Sequence, residues 1–481
     1  MSIRVKVLEV EIKNFKNVLN GKIRFPSSKN LSFEKADVLG IYGQNGSGKT
    51  AMVEAFQVLK RLLEGKKLLD NTEKLIYQGG EVATLNFTFL IKINNSLYEA
   101  YYSIELSKLG NNSEIVEYEN DVLTEKDSEN YQLGNSVFVS KEEFRYKEVI
   151  KGSRPKLAIQ YLRPNEEDST IGPNIISRKI KSNKNDLFIA YKVNAELAYK
   201  EKTSFLFRKE GVTLAKQILK EEAFEILLSL KQVFVNNLFV ISNIQSSLIL
   251  ANVMIPVHYK KVDKNKIEAG YDVLILPSNK PTVLPKDVFE LAGEMFNAIS
   301  KVLREVVPGL TVELRSLGEQ TLQNGTIGIR AELIAIRDEI ALPISLESDG
   351  IKKLVSILSS LIVLYNDHNA CIIIDELDAG IFEFLLGEIV KILNDCGKGQ
   401  LLFTSHNLRL LEVLEKDNLV FTTTNPEKRY INLKGLKETN NIRDVYIRAI
   451  QLGTDEEPVY QETDRYNIMD AFEEAGELNY G

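Results

Sequence analysis

The sequence is poor in the groups that build covalent or metal frameworks. Cys371 and Cys396 are its only cysteines, and neither has partners at zinc-type spacing, so a disulfide or metal scaffold is not expected. Positive charge is not in excess: 60 Lys and Arg stand against 67 Asp and Glu, a net charge of −7. No overall field marks the chain for nucleic acid, and any such contact must be local. No run of about 18 apolar residues occurs, so no membrane span is expected. The opening Met-Ser-Ile-Arg-Val-Lys-Val-Leu-Glu-Val alternates like a strand and lacks the apolar core of a signal peptide, which points to a soluble, cytoplasmic chain. Internal repeats and sustained heptads are missing too, which disfavours long coiled-coil arms. What remains is ordinary folded composition, 44% hydrophobic and 26% charged over 481 residues, enough for two or three domains.

Against that background one segment is unusually informative. Residues 43–50 read Gly-Gln-Asn-Gly-Ser-Gly-Lys-Thr, preceded by a buried-strand pattern (Val38, Leu39, Ile41, Tyr42) and followed by a helical one. Strand, glycine-rich loop and helix in that order predict a phosphate-binding loop for a nucleoside triphosphate. Backbone N–H groups across Gly43, Asn45, Gly46, Ser47 and Gly48 would turn toward one anion. The helix N-terminus adds roughly half a positive charge at the same point. Lys49 is placed to reach the β- and γ-phosphates of ATP, and Thr50 to put its hydroxyl on Mg²⁺.

A second set of residues completes such a site. Cys371-Ile-Ile-Ile-Asp375-Glu376 is a buried strand ending in two acids. If the chain turns there, Asp375 can hold Mg²⁺ while Glu376 polarises the attacking water. Asp378 and Gly380 follow directly. About 30 residues on, Phe403-Thr404-Ser405-His406 ends the next strand pattern, which puts His406, one of three histidines, beside the same crevice as a γ-phosphate sensor. Upstream, Leu346-Glu347-Ser348-Asp349-Gly350 ends a strand and begins a helix. Ser348 and Gly350 there read either as an anion site or as a simple N-cap.

The fold class expected is α/β. The first part, 1–150, carries the phosphate loop and an antiparallel β-subdomain with a hairpin at Asn94-Asn95. Residues 151–308 read as a mainly helical insertion, with helical spacing in Leu214–Lys220 and Phe224–Phe234, and a helix from about Pro285 to Val306 before Pro308-Gly309. In 309–440 strands and helices alternate as in a parallel sheet: Thr311–Leu314, Thr326–Ile336, then Lys352–Tyr365, Ala370–Ile374, Glu383–Leu393, Gln400–Thr404 and Leu408–Leu414. Residues 441–481 read as an acidic docking or regulatory tail. Basic clusters at Arg178, Lys179, Lys181 and Lys184, and at Lys260, Lys261, Lys264 and Lys266, read as solvated faces or as local contacts to DNA or a phage ligand.

The opening Ile12-Lys13-Asn14-Phe15-Lys16, the phosphate loop, Ser348–Gly350, Asp375-Glu376, Asp378 and His406 together resemble the ATP-binding-cassette (ABC) ATPases of the SMC and RecF group. Glu347-Ser-Asp-Gly-Ile-Lys-Lys-Leu354 and Ile374-Asp-Glu-Leu-Asp-Ala-Gly380 look more closely like the OLD-type branch, which includes bacterial abortive-infection and anti-phage ATPases such as the PARIS ATPase subunit. The resemblance covers roughly 1–110 and 310–425. It implies a homodimer or higher homo-oligomer in which Ser348 and Gly350 of one subunit cap the ATP held by Lys49 of the other. It also implies a separate effector, a nuclease or toxin, controlled by this chain in anti-phage defence. Only 75 residues follow His406 and they hold no Asp-x-Asp pair, so the TOPRIM nuclease of many OLD proteins is not expected here. A RecF-like, DNA-binding ATPase of replication or repair is the alternative. A transporter nucleotide subunit fits less well, given Phe15 and the long insertion. Two departures stand out: Asp349 replaces a glycine, and the glutamine that couples the lobes has no match, Gln78 lying too early and none occurring around Leu187–Asn194.

Overall fold

The computed structural model describes residues 2–69, 72–108, 137–150, 152–163, 186–251, 253–260, 271–322, 325–433, 441–452 and 457–476. Apart from the backbone of Lys260, both basic clusters lie outside them. In chain order come β1 (Ile3–Phe15), β2 (Val18–Arg24), β3 (Asp37–Tyr42), α1 (Lys49–Glu64), β4 (Val82–Ile93), β5 (Ser96–Lys108), β6 (Val137–Glu148) and β7 (Lys156–Leu162). Next are α2 (Asp186–Lys200), α3 (Lys209–Ile218), α4 (Glu221–Ser229), β8 (Leu238–Ile241), α5 (Asn243–Leu250), β9 (Ile255–Lys260), β10 (Tyr271–Leu276), β11 (Thr282–Pro285) and α6 (Lys286–Val306). The remainder is β12 (Leu310–Thr321), β13 (Ile327–Arg337), β14 (Ile340–Pro343), α7 (Asp349–Asn366), β15 (Cys371–Ile374), α8 (Glu383–Cys396), β16 (Gln400–Thr404), α9 (Leu410–Val413), β17 (Leu419–Thr422), β18 (Tyr430–Ile431), α10 (Ile442–Leu452) and α11 (Arg465–Gly476). Among the described residues no helix is long and apolar enough to cross a membrane.

Two six-stranded sheets carry the molecule. One has the order β18-β17-β3-β16-β15-β8 and is parallel except at β18. Its strands β3, β15 and β16 are buried on both faces, which is why they read as unbroken apolar runs rather than alternations. The other, β2-β1-β4-β5-β6-β7, is antiparallel. Its period-two burial in β4 and β5 matches one core face and one wetter face. The β4–β5 turn falls at Asn94-Asn95 as expected, with Asn94 at φ +52°. Helix α1 is sandwiched between the sheets through Met52, Phe56, Leu59 and Leu63, and Phe56 meets Phe87 edge-on at 5.7 Å. A third sheet, β11-β13-β12 with β14 on β13, packs against α6 and α7 in a separate core.

Among the described residues of 151–308, strands as well as helices occur. β7 closes the antiparallel sheet, and β8 joins the parallel sheet beside β15. The apolar run Leu238–Ile241 is only four residues long, too short to reveal a period. The stretch expected as a tail from 441 includes α10, which packs on the parallel sheet. Tyr446 of α10 is buried against Phe421 at 4.9 Å and Tyr42 at 6.4 Å, because the helix turns Ile442, Tyr446, Ala449 and Ile450 to one side. Helix α11 has no buried residues.

One buried base ties these layers. His258 of β9 packs edge-on against Phe239 of β8 at 4.4 Å, and its Nδ1 lies 3.1 Å from Ser359 Oγ of α7. Burial, and secondarily Lys60, push its pKa from 6.5 to about 3. A lowered folded pKa means that the unfolded chain takes up the proton first, so stability drops as pH falls from 6.5 toward 3. His258→Asn should remove up to about 1.4 kcal/mol per pH unit of that slope, read from denaturant unfolding at pH 7, 6 and 5.

Candidate functional site

The phosphate loop runs from the end of β3 into α1. Gly46 at φ +78° and Gly48 at φ +93° take left-handed conformations that side chains with a Cβ avoid, and Gly48 is the N-cap residue of α1. Ser47 Oγ donates to Gln44 O at 2.6 Å and lies 2.5 Å from Thr422 Oγ1 of β17. The Lys49 ammonium donates to Gly43 O at 2.8 Å and Gln44 O at 2.9 Å, folding back along its own loop. Burial lowers its pKa, and the carboxylates of Asp375, Glu376 and Asp378 oppose that shift. From outside, Tyr430 OH donates to Gly48 O at 2.7 Å, and Asn17 Nδ2 donates to Gly46 O. The loop is therefore fastened by β17, β18 and the β1–β2 turn.

In the parallel sheet β16 lies between β3 and β15, so the three C-terminal strand ends open on one crevice. Thr404, the last residue of β16, organises the acids. Its Oγ1 donates to Asp375 Oδ1 at 2.6 Å and accepts from Glu376 N at 2.8 Å, while its carbonyl accepts from Leu377 N at 3.0 Å. Asp375 is 1% exposed, and its Oδ2 has no hydrogen-bond partner. Burial raises its pKa, with the Thr404 and Thr50 hydroxyls opposing. An orphaned carboxylate oxygen beside a threonine hydroxyl is a hard-oxygen donor set, which fits Mg²⁺. Among the described residues no three acidic, histidine or cysteine side chains gather into a metal cage, so a cation here would complete its shell with phosphate oxygens and water.

Glu376 has φ +49°, so the chain does turn sharply at the strand end, and both acids line the same cavity. Its Oε1 accepts from Asn243 Nδ2 at 3.1 Å. Asp378 Oδ2 accepts from the backbone N–H of His406 at 3.0 Å. Partial burial first, then Lys49, lower the pKa of the His406 ring, with Asp378 and Glu376 opposing. Ser348 Oγ accepts from Ile351 N at 3.4 Å as the N-cap of α7. Asp349, the residue in place of a glycine, has its carboxylate engaged by Lys352 at 2.8 Å.

These residues fall into two groups. Asn45, Gly46, Gly48, Lys49, Thr50, Asp375 and Glu376 line one cavity of about 590 Å³, within the range of small-molecule sites. Ser348, Gly350, Asp378 and His406 do not line it. Ser348 and Gly350 sit at the start of α7, where Gly350 is seated against Gly380.

The chain is similar to SMC head domains. It overlaps an Smc head bound to the C-terminal winged-helix domain of ScpA at 13% identity and TM-score 0.40, covering 89% of this chain and 98% of that one. The SMC head domain from Thermotoga maritima overlaps at 11% identity and TM-score 0.37, over 89% and 99% of the two chains. The recombination mediator RecF with ATP overlaps at 13% identity and TM-score 0.31, over 84% and 94%. No family model and no curated protein matches the chain.

The cavity has further residues beyond the motif positions expected to bind nucleotide. Lys16, Asn17 and Lys74 line the same cavity. Lys16 is the last residue of the Ile12–Lys16 motif, and Asn17 follows it. Lys74 is delivered by pairing alone: Phe15 bridges Ile76, Lys16 N donates to Leu75 O at 2.7 Å, and Tyr77 N to Asn14 O at 2.8 Å. Asn243 arrives because β8 lies beside β15, and no local pattern announces it.

Proposed function

We propose that this chain is an ABC-type ATPase that binds ATP with Mg²⁺ in the loop cavity and works as a pair of heads. The observation that carries the reading is the buried Asp375, whose Oδ2 has no hydrogen-bond partner, lining one cavity together with Thr50 and Lys49. Thr50 and Asp375 would hold Mg²⁺, which would supply neutralising charge to the phosphates. Loop N–H groups and Lys49 orient the triphosphate. Glu376, held through Oε1 by Asn243, accepts the proton of a water attacking the γ-phosphorus in line, and ADP leaves with its β-oxygen as phosphate forms.

Ser348 and Gly350 lie outside the chain's own cavity, at a helix start suited to an anion. In this reading they cap the ATP of a second copy, with Asp378 and His406 at the same junction. The finer role rests on the motif resemblance at Glu347–Leu354 and Ile374–Gly380: an OLD-type sensor or scaffold that controls a separate nuclease or toxin in anti-phage defence, similar to the PARIS ATPase subunit.

The test is assembly. Wild type with ATP and Mg²⁺ should dimerise in analytical ultracentrifugation. Lys49→Ala should weaken ATP binding about 100-fold, and Ser348→Arg should keep ATP binding but stay monomeric. Dimerisation of Ser348→Arg at wild-type concentrations would refute the shared site. For the finer role, phage plaquing with and without the neighbouring genes decides. ATP-dependent, salt-sensitive duplex affinity with unchanged plaquing would favour a DNA-repair role.

A further inference from the structure

Helix α7 buries two consecutive charged side chains, Lys352 at 3% and Lys353 at 1% exposure. Neighbours on a helix point about 100° apart, so they serve different partners. Lys352 reaches back to Asp349 in its own first turn. Lys353 leaves the helix and donates from Nζ to the backbone carbonyl of Glu376. That carbonyl also accepts from Ala379 N at 3.1 Å, which closes the turn carrying Glu376 and Asp378. The turn holds Glu376 in a left-handed conformation that costs about 1 kcal/mol or more unless its surroundings fix it. Burying an ammonium is expensive, and the offset comes from Asp378, Glu376 and Asp375, all of which favour the charged form. A lysine serving the core alone would gain more by reaching solvent.

A second contact joins the same two elements. A Cβ on Gly350 would stand 2.1 Å from Gly380 O, so the first turn of α7 lies directly on the end of the acidic turn. Helix start and acidic turn thus touch at Gly350–Gly380 and are tied at Lys353–Glu376.

The geometry points to Lys353 as a positioning residue that makes the acidic turn of one subunit respond to what the start of its own α7 binds on the partner. This deepens the two-headed ATPase reading and rests on it. When α7 closes on the partner's nucleotide, Lys353 carries the carbonyl of Glu376 with it and sets the carboxylate for attack in its own cavity. Each head then hydrolyses only when it is also capping, and the signal passes within one subunit.

The experiment uses the full chain, measuring ATP-dependent assembly and phosphate release per head across head concentration. In wild type, turnover per head rises as dimers form. Lys353→Met should dimerise at the same concentrations with KM within about twofold, yet lose the rise, leaving kcat about 30-fold lower. Lys353→Arg, which retains a charged donor, should recover at least a third of the rise. A Lys353→Met chain whose turnover rises as in wild type overturns the proposal. So does one that no longer dimerises, because the lysine would then serve the partner contact. If Lys353→Met melts more than about 10 °C below wild type, Lys353→Gln is read in the same two assays against the same outcomes. Wild type that neither dimerises nor turns ATP over refutes the underlying ATPase reading, a result separate from any of these.

Discussion

Glu376→Gln should turn ATP over about 10² to 10⁴-fold more slowly than wild type while binding it as tightly. The amide keeps the shape of the carboxylate, and its oxygen still accepts from Asn243, so the turn at φ +49° is undisturbed. What is lost is the second oxygen as a proton acceptor for the attacking water. Lys49, Thr50 and Asp375 are untouched, so the nucleotide complex forms and cannot resolve. In the two-headed reading the dimer should therefore persist with ATP long after wild type has returned to monomers. Phosphate release and sedimentation, followed on the same sample, check both halves. Unchanged phosphate release would remove Glu376 from the role of base and leave the acidic turn as scaffolding.

How far such a site can be read from sequence depends on how its parts are brought together. The phosphate loop is eight consecutive residues between a strand and a helix, and its chemistry is local, so residues 43–50 are legible at once. Asp375 and Glu376 are legible because a strand buried on both faces must be apolar to its end, which makes two terminal acids conspicuous. Thr404, Asn243 and Lys353 carry no such mark. Each reaches the acids across a sheet neighbour or a helix packing, 23 to 133 residues away in sequence. A threonine at a strand end or a lysine in a helix has ordinary local statistics, and only the order β3-β16-β15-β8 reveals its role. The same limit explains β8 and α10. Leu238–Ile241 becomes a strand because β15 offers an edge, and Ile442–Leu452 belongs to the head because Tyr446 finds Phe421 and Tyr42. In both cases tertiary context decides what a short segment becomes.

Gly350→Ala should leave ATP binding by the loop intact and abolish assembly. The added Cβ would meet Gly380 O at 2.1 Å and Gly380 C at 3.2 Å, both backbone atoms rather than a flexible side chain. Gly380 is itself at φ +78°, so the turn has little freedom to retreat. Either α7 lifts by about 1 Å or the acidic turn is displaced, at a cost of about 1–3 kcal/mol. Lifting α7 misplaces Ser348 at the partner's nucleotide; displacing the turn misplaces Glu376 in the chain's own cavity. Hydrolysis should fall at least about tenfold by either route, since an error of 1 Å in positioning is enough. Gly293→Ala is the matched control. It lies within α6, where a Cβ meets nothing within 4 Å, and helix propensity alone should make it neutral or slightly stabilising. Calorimetry and ATP-dependent sedimentation of the two variants separate a lost contact from a generic glycine effect. If Gly350→Ala assembles and hydrolyses like Gly293→Ala, the junction of α7 with the acidic turn is not the element that links the two heads.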